Sequence, residues 1–302
     1  MQRKPDFFIV GAPKCGTSAF HRYLMAHPEI FMAAKKESHF FSTDITSHEH
    51  IRDLASYLSL FDSANQEKRI GEASVWYLAS REAAYNIHEF NPDARIIVFL
   101  RNPLEMIPSL HSQLIFNGYE NIRDLREALN AENERRRGER VPRTASAPTQ
   151  LLYRDAARYT EQVQRYFDTF GQDRVHVILY DDIRVKLPEV YRELLIFLEV
   201  DSDFRPDFEK INTNKEVSSL FHRDILKNPP DWCRRLVRSI MPGEHLRHTA
   251  IKKLEAINVT QKSRKSMDVE LKNQLAAEFR EEVARLQDLL GRDLSHWLLL
   301  SR

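Results

Sequence analysis

Two cysteines occur in 302 residues, Cys15 and Cys233, and neither sits in a metal-type spacing. A single pair makes no disulfide framework, so reduced thiols in a cytosolic protein are the expectation. Long hydrophobic runs are missing as well. The apolar stretch Phe7-Phe8-Ile9-Val10, behind the positive start Met1-Gln2-Arg3-Lys4, is too short for the core of a signal peptide. No segment is apolar for long enough to span a bilayer. An excess of one charge is lacking too, and a formal net charge of +1 argues against a general nucleic-acid binder. With no internal repeat and no linker-like stretch, residues 1–302 are expected to form one soluble, cytoplasmic domain, its oligomeric state left open.

What is present is an alternation of short apolar runs and helical stripes. Phe7-Phe8-Ile9-Val10, Arg95–Leu100 and residues 174–180 read as strands buried on both faces, with a weaker strand over residues 69–72. Ala19, Phe20, Tyr23 and Leu24 recur at helical spacing until His27-Pro28. Leu152, Ala156, Tyr159, Val163 and Phe167 form a second stripe stopped by Gly171, and Pro188, Tyr191, Leu194 and Leu198 a third. Asp268 is placed to cap a last helix, whose stripe is Leu271, Leu275, Phe279, Val283, Leu286 and Leu290, ending before Gly291. Strands alternating with helices predict an α/β fold, a mostly parallel sheet covered on both faces with a helical C-terminal part. Residues 121–149 are the least core-like internal stretch. Their Arg135-Arg136-Arg137 run reads as a solvated helix and loop, or else as a lid or basic substrate surface.

Gly11-Ala12-Pro13-Lys14-Cys15-Gly16-Thr17-Ser18 lies between a strand and a helix, with two glycines at the spacing of a phosphate-binding loop. Such a loop turns backbone amides inward, and the helix N-terminus adds partial positive charge. Lys14 supplies an ammonium, Thr17 and Ser18 supply hydroxyls, and Cys15 reads as a small space-filling residue. The nucleotide-triphosphatase version needs its lysine after the second glycine, where this chain has Thr17, and an acid for Mg²⁺ on a neighbouring strand. The best neighbouring strand ends in Arg101. A phosphate ligand without a metal is the expectation, with a P-loop kinase or NTPase, or a non-catalytic nucleotide-binding protein, as the alternatives.

Together these segments resemble the sulfotransferases that use 3′-phosphoadenosine 5′-phosphosulfate (PAPS), the glycosaminoglycan branch in particular. The 11–18 loop is similar to their 5′-phosphosulfate loop, and Lys36-Glu37-Ser38-His39-Phe40-Phe41 to their Lys-Glu-x-x-Phe-Phe segment. Gly71-Glu72-Ala73-Ser74 resembles their Gly-Glu-Lys segment, and Arg101-Asn102-Pro103 with Ser109 their 3′-phosphate motif. Leu179-Tyr180-Asp181-Asp182 and the ending Leu290-Gly291-Arg292-Asp293-Leu294-Ser295-His296-Trp297 have counterparts as well. The resemblance implies that Lys14, Cys15, Gly16, Thr17 and Ser18 cradle the 5′-phosphosulfate. It puts Arg101 and Ser109 on the 3′-phosphate, Tyr180 beside the adenine, and Arg264 or Lys265 near the 3′-phosphate from the C-terminal region. The acceptor would be a hydroxyl or amine of a carbohydrate, lipid or small molecule, and adenosine 3′,5′-bisphosphate the product.

In-line sulfuryl transfer relies on positioning and electrostatics, plus a base for the acceptor hydroxyl. The resemblance assigns that base to Glu37, with His39 orienting or assisting it and His111 in reserve. An extended segment would turn Glu37 and His39 to one side. Ala73 stands where the Gly-Glu-Lys pattern has lysine, Val75 where it has proline, and the role of Glu72 is open.

Overall fold

An apolar run without polar alternation belongs in a strand covered on both faces. Phe7, Phe8, Ile9 and Val10 accordingly lie fully buried in strand β1, Phe7–Gly11. This computed structural model describes residues 3–47, 49–208, 216–217, 259–260 and 267–299. In chain order β1 is followed by α1 (Thr17–Met25), β2 (Ile30–Met32), α2 (Leu54–Leu58), β3 (Arg69–Ala73), α3 (Ala83–Phe90), β4 (Arg95–Leu100) and α4 (Pro103–Asn117). Then come α5 (Leu125–Asn130), α6 (Glu132–Arg136), α7 (Tyr153–Ala156), α8 (Tyr159–Phe170), β5 (Val175–Leu179) and α9 (Tyr180–Phe197). The short strands β6 (Glu216–Val217) and β7 (Val259–Thr260) precede α10 (Val269–Glu278) and α11 (Arg280–Leu290).

The main sheet runs β2-β3-β1-β4-β5, with every pairing parallel. The α/β expectation holds. From β1 the chain moves out to one side of the sheet, and from β4 to the other. The loops after β1 and β4 therefore flank a topological switch point, the usual place for a ligand in an open parallel sheet. Close packing between β3 and β1 depends on Gly71, where a Cβ would lie 2.1 Å from the Phe7 ring and 2.4 Å from the Met32 sulfur.

Two helix expectations and one strand expectation are revised. The 152–167 stripe is two helices, because α7 ends at Ala156 and Arg158 leaves helical geometry before α8. On α8, Tyr166 and Phe170 are buried while Phe167 is half-buried, and Gly171 ends the helix at φ 80° as expected. The last stripe also breaks, at Phe279, although Asp268 caps α10 by accepting the Glu270 and Leu271 amides. The 174–180 strand is shorter than expected, since Tyr180 already opens α9.

The chain forms two compact units: Met1–Leu110 with Ser146–Ile211 and Met267–Arg302, and His111–Ala145 with Asn212–Ser266. In the second unit, Arg135 pairs with Glu120 at 2.8 Å, and neither side chain has any exposure. A buried pair of this kind is a structural device, since stripping one partner leaves an uncompensated charge. Arg135 thus leaves the proposed basic surface. Arg136 and Arg137 stay exposed, the latter paired with Glu139. Cys233, Arg264 and Lys265 lie outside the described residues. Among the described residues no helix is long and apolar enough to cross a membrane.

Candidate active site

The end of β1 and the loop after it are tied to β4 and to the segment that follows β3. Ala12 donates its amide to the Phe99 carbonyl at 2.6 Å, and Leu78 donates to Val10 at 2.7 Å. Gly16 caps α1 at φ 97°, a left-handed conformation that glycine adopts without steric cost, and its carbonyl receives the Ala19 and Phe20 amides. Thr17 and Ser18 open the helix, so their amides belong to the first turn and its partial positive charge. The Cys15 side chain is fully buried with Sγ 3.3 Å from the Pro13 carbonyl. Burial pushes its thiol up to about 12, against weaker downward pulls from Arg101 and Lys14, so it stays protonated. The filler reading of its side chain fits this; a ligand contact from Cys15 is left to its backbone.

At the end of β4, the Arg101 guanidinium lies 4.3 Å from the centre of the Tyr180 ring. Its Nη1 donates to the Lys14 carbonyl at 3.3 Å, and Nε and Nη2 hold Glu105 at 3.0 and 2.7 Å. The Tyr180 ring also borders Gly16, 3.6 Å from where a Cβ would stand. The fold thus brings Lys14, Gly16, Arg101 and Tyr180 together. Ser109 is buried on α4. The chain's ending braces this side: Trp297 Nε1 donates to Asp181 at 2.6 Å, and Asn102 donates to the Trp297 carbonyl at 2.8 Å. Neither Asp181 nor Trp297 was expected as a site-building residue, although both sit in segments that carried the resemblance.

Glu37 and His39 do face each other, but not through an extended backbone. Both residues are left-handed, at φ 63° and 51°. The curl sends the Glu37 amide to the Ala73 carbonyl at 2.9 Å and brings His39 Nε2 to 3.1 Å from Glu37 Oε2. That oxygen also accepts the Val75 amide at 2.9 Å, while Oε1 pairs with the Lys36 ammonium at 3.1 Å. Burial alone would raise this carboxyl; Lys36, His39 and the Val75 amide outweigh it and hold it down at about 2. Lys36 was missed by sequence reasoning. Its ammonium also donates to Ser18 Oγ at 3.2 Å and Thr17 Oγ1 at 3.4 Å, joining the loop to the carboxylate. The signal was the first residue of Lys-Glu-x-x-Phe-Phe, but only the fold shows where its long stem leads.

Glu72 now has a role. Its carboxyl is wholly buried and accepts the Ser38 and Ser74 hydroxyls, with Tyr57 at 3.5 Å. Burial raises its pKa in spite of these bonds. Ser74 Oγ in turn accepts the His39 amide at 3.1 Å, so the hydroxyls that hold Glu72 also fix residues 36–39. The His39 ring leans on His50 at an interplanar angle of 41°, centroids 4.6 Å apart, and its Nδ1 is buried without a hydrogen-bond partner among the described residues. Burial, His39 and Arg52 push His50 down to about 4, so it is neutral near pH 7. The reserve base His111 has its Nε2 2.8 Å from the Ile122 carbonyl, which occupies that nitrogen.

The sulfotransferase domain family model matches residues 4–287. The chain is similar to human carbohydrate sulfotransferase 15, 31% identical over 147 residues, covering 35% of this chain and 26% of that protein. It is also similar to human heparan sulfate glucosamine 3-O-sulfotransferase 6, 34% identical over 114 residues, covering 38% of this chain and 32% of that protein. The matches span about a quarter to a third of the length of these curated relatives. The solved structure of a sulfotransferase from Alicyclobacillus acidocaldarius superposes with a TM-score of 0.73 at 32% identity, covering 98% of this chain and 99% of that one.

Proposed function

Because the chain belongs to the sulfotransferase family, we propose that it transfers a sulfuryl group from PAPS to a carbohydrate-type hydroxyl, with Glu37 as the base. One observation carries this reading: a single ammonium, Lys36, lies 3.2 Å from the Ser18 hydroxyl and 3.1 Å from Glu37. The anion-binding loop and an ionised carboxylate therefore face one another across the width of one charged group. That closeness suits a donor held in the loop and an acceptor oxygen held at the carboxylate.

The residues present fit PAPS. The α1 N-terminus with the Thr17 and Ser18 hydroxyls suits its 5′-phosphosulfate, and Lys14 suits the bridging oxygen where charge collects. The planar fork of Arg101 suits the 3′-phosphate, with Ser109 beside it in the resemblance, and Tyr180 offers a ring face to the adenine. When bound, PAPS supplies the sulfuryl group: sulfur bonds to the acceptor oxygen as its bond to the bridging oxygen breaks, and the electron pair leaves with adenosine 3′,5′-bisphosphate. Glu37 takes the acceptor's proton, and His39 holds the carboxylate in place. The carbohydrate acceptor rests on what the two human relatives are named for; a lipid or small alcohol is the competing outcome.

A kinase or triphosphatase needs an acid beside the loop for Mg²⁺. Glu72, the acid on the neighbouring strand β3, is sealed under the Ser38 and Ser74 hydroxyls, and the residue that follows β4 is Arg101. Calorimetry separates the readings. Adenosine 3′,5′-bisphosphate should bind and ATP with Mg²⁺ should bind far more weakly; the reverse order would sink this proposal. Transfer from radiolabelled PAPS to a panel of sugars, lipids and alcohols then identifies the acceptor, and no transfer to any of them points to a non-catalytic member.

A further inference from the structure

We propose that Lys36 senses the donor: in the loaded enzyme its ammonium moves onto the sulfuryl oxygens, and in leaving Glu37 it frees that carboxylate to act as base. The inference rests on the reading that the 11–18 loop holds PAPS, and it adds a residue and a control step to that reading. Three observations lead to it.

The first is position. Lys36 Nζ has Glu37 Oε1 on one side at 3.1 Å and the Ser18 and Thr17 hydroxyls on the other at 3.2 and 3.4 Å. The second is hydrogen-bond polarity. An ammonium can only donate, so both hydroxyls accept from Lys36. A hydroxyl that cradles an anion must donate to it. An anion arriving in the loop turns both O–H bonds toward itself while the hydroxyl oxygens keep lone pairs for Lys36, so the ammonium stays tied to the loop side and gains a negative charge beside it. The ammonium, on a flexible four-carbon stem, follows the new negative charge. The third is composition. β3 carries Ala73 where the Gly-Glu-Lys pattern would provide a lysine, so Lys36 brings an ammonium that this strand lacks.

The consequence falls on Glu37. Lys36, His39 and the Val75 amide face it directly, with His21 of α1 acting on it from further away. Behind His39 stand the neutral His50 and the buried Glu72. Of these only Lys36 has both a mobile stem and a second partner in the loop. Its departure removes the positive charge that most weakens Glu37 as a base, while His39 and Val75 keep the carboxylate aimed. The bonds made and broken are those of the transfer itself: oxygen to sulfur forms, sulfur to bridging oxygen breaks, and the acceptor's proton ends on Glu37. Without donor, Glu37 is held as a weak base.

The test compares PAPS with adenosine 3′,5′-bisphosphate, which lacks only the sulfuryl group. In Lys36→Met, calorimetry should show bisphosphate affinity near wild type and PAPS affinity reduced roughly 10-fold or more, the size of a lost charge-assisted hydrogen bond. Lys36→Arg should restore most of the preference. The second readout is pH. In wild type the acid limb of kcat, which reports the loaded enzyme, should lie at higher pH than that of kcat/KM for PAPS, which reports the free enzyme. In Lys36→Met the two limbs should coincide. Equal loss of both ligands would show a merely structural lysine and overturn the inference, as would coincident limbs in wild type. If wild type binds neither ligand, the donor reading itself falls and takes the inference with it.

Discussion

Glu37 and Glu72 belong to one connected network, but their surroundings push them in opposite directions. Glu37 is partly open, touched by an ammonium, an imidazole and a backbone amide, and held at about 2. Glu72 is sealed among hydroxyls, and burial raises it. Pairs of carboxyls driven apart in this way mark a division of labour. The low one is always ionised at working pH and reachable, which suits a base that must be switched on. The high one has no route to solvent, and its bonds run to Ser38 and Ser74, which hold the backbone around His39. The difference teaches that charged partners make a carboxylate functional, and hydroxyl partners make it structural.

That division breaks first at the rate. Glu37→Gln keeps the shape and removes the proposed base; kcat should fall about 10²–10⁴-fold, the usual weight of a positioned base. Bisphosphate binding should persist. Glu72→Gln should leave kcat within a few-fold and instead cost about 1–3 kcal/mol of stability, the range for leaving buried hydrogen-bonding groups without their partner. Steady-state kinetics and urea unfolding on both variants decide it. A rate loss in Glu72→Gln matching that of Glu37→Gln would erase the distinction.

The same contrast gives opposite pH slopes of stability. Glu37 has a lowered pKa in the folded state, so its contribution is present above the unfolded value of 4.5 and lost as pH falls toward about 2. Its size is of order 1 kcal/mol once solvent screening of the partly exposed group is allowed for. Glu72 has a raised pKa, so it costs stability as pH rises above 4.5 toward its folded value. Urea unfolding between pH 2 and 8 should show Glu37→Gln losing the acid-limb gain and Glu72→Gln losing the opposing slope. Parallel curves for the two variants would mean that their environments do not differ as drawn.

The loop side of this candidate site was far more legible in the sequence than the Glu37 side. The loop announces itself through two glycines, Lys14 and a strand that is apolar at every position, all local features. Arg101 is found because a strand end is easy to place. The 36–39 segment is different. Its left-handed Glu37 and His39 are set by bonds to Ala73, Ser74 and Val75, more than thirty residues away, so the expected extended geometry gave the right neighbours for the wrong reason. Lys36 was invisible because nothing local says which way a lysine stem reaches. Glu72 was invisible because its burial depends on Ser38, Tyr57 and Tyr77. The helix stripes misled where periodicity continued across a break, at Arg158 and at Phe279, since apolar spacing does not record the backbone turn between two helices on one face.

The smallest expected effect asks whether the contrast between the carboxyls is local to the base side. Trp297 donates Nε1 to Asp181, next to Tyr180, and receives Asn102, next to Arg101, on its carbonyl. Both contacts lie beside residues of the proposed donor side. Trp297→Phe keeps most of the buried ring and deletes one hydrogen bond, a loss of about 0.5–1.5 kcal/mol, or more where Asp181 carries the charge. That should raise the KM for PAPS several-fold through Tyr180 and Arg101. The acid limb of kcat should not move, because no part of this contact faces Glu37, Lys36 or His39. A shifted limb would mean that the tail's brace reaches the base, and the two sides would then have to be treated as one coupled unit.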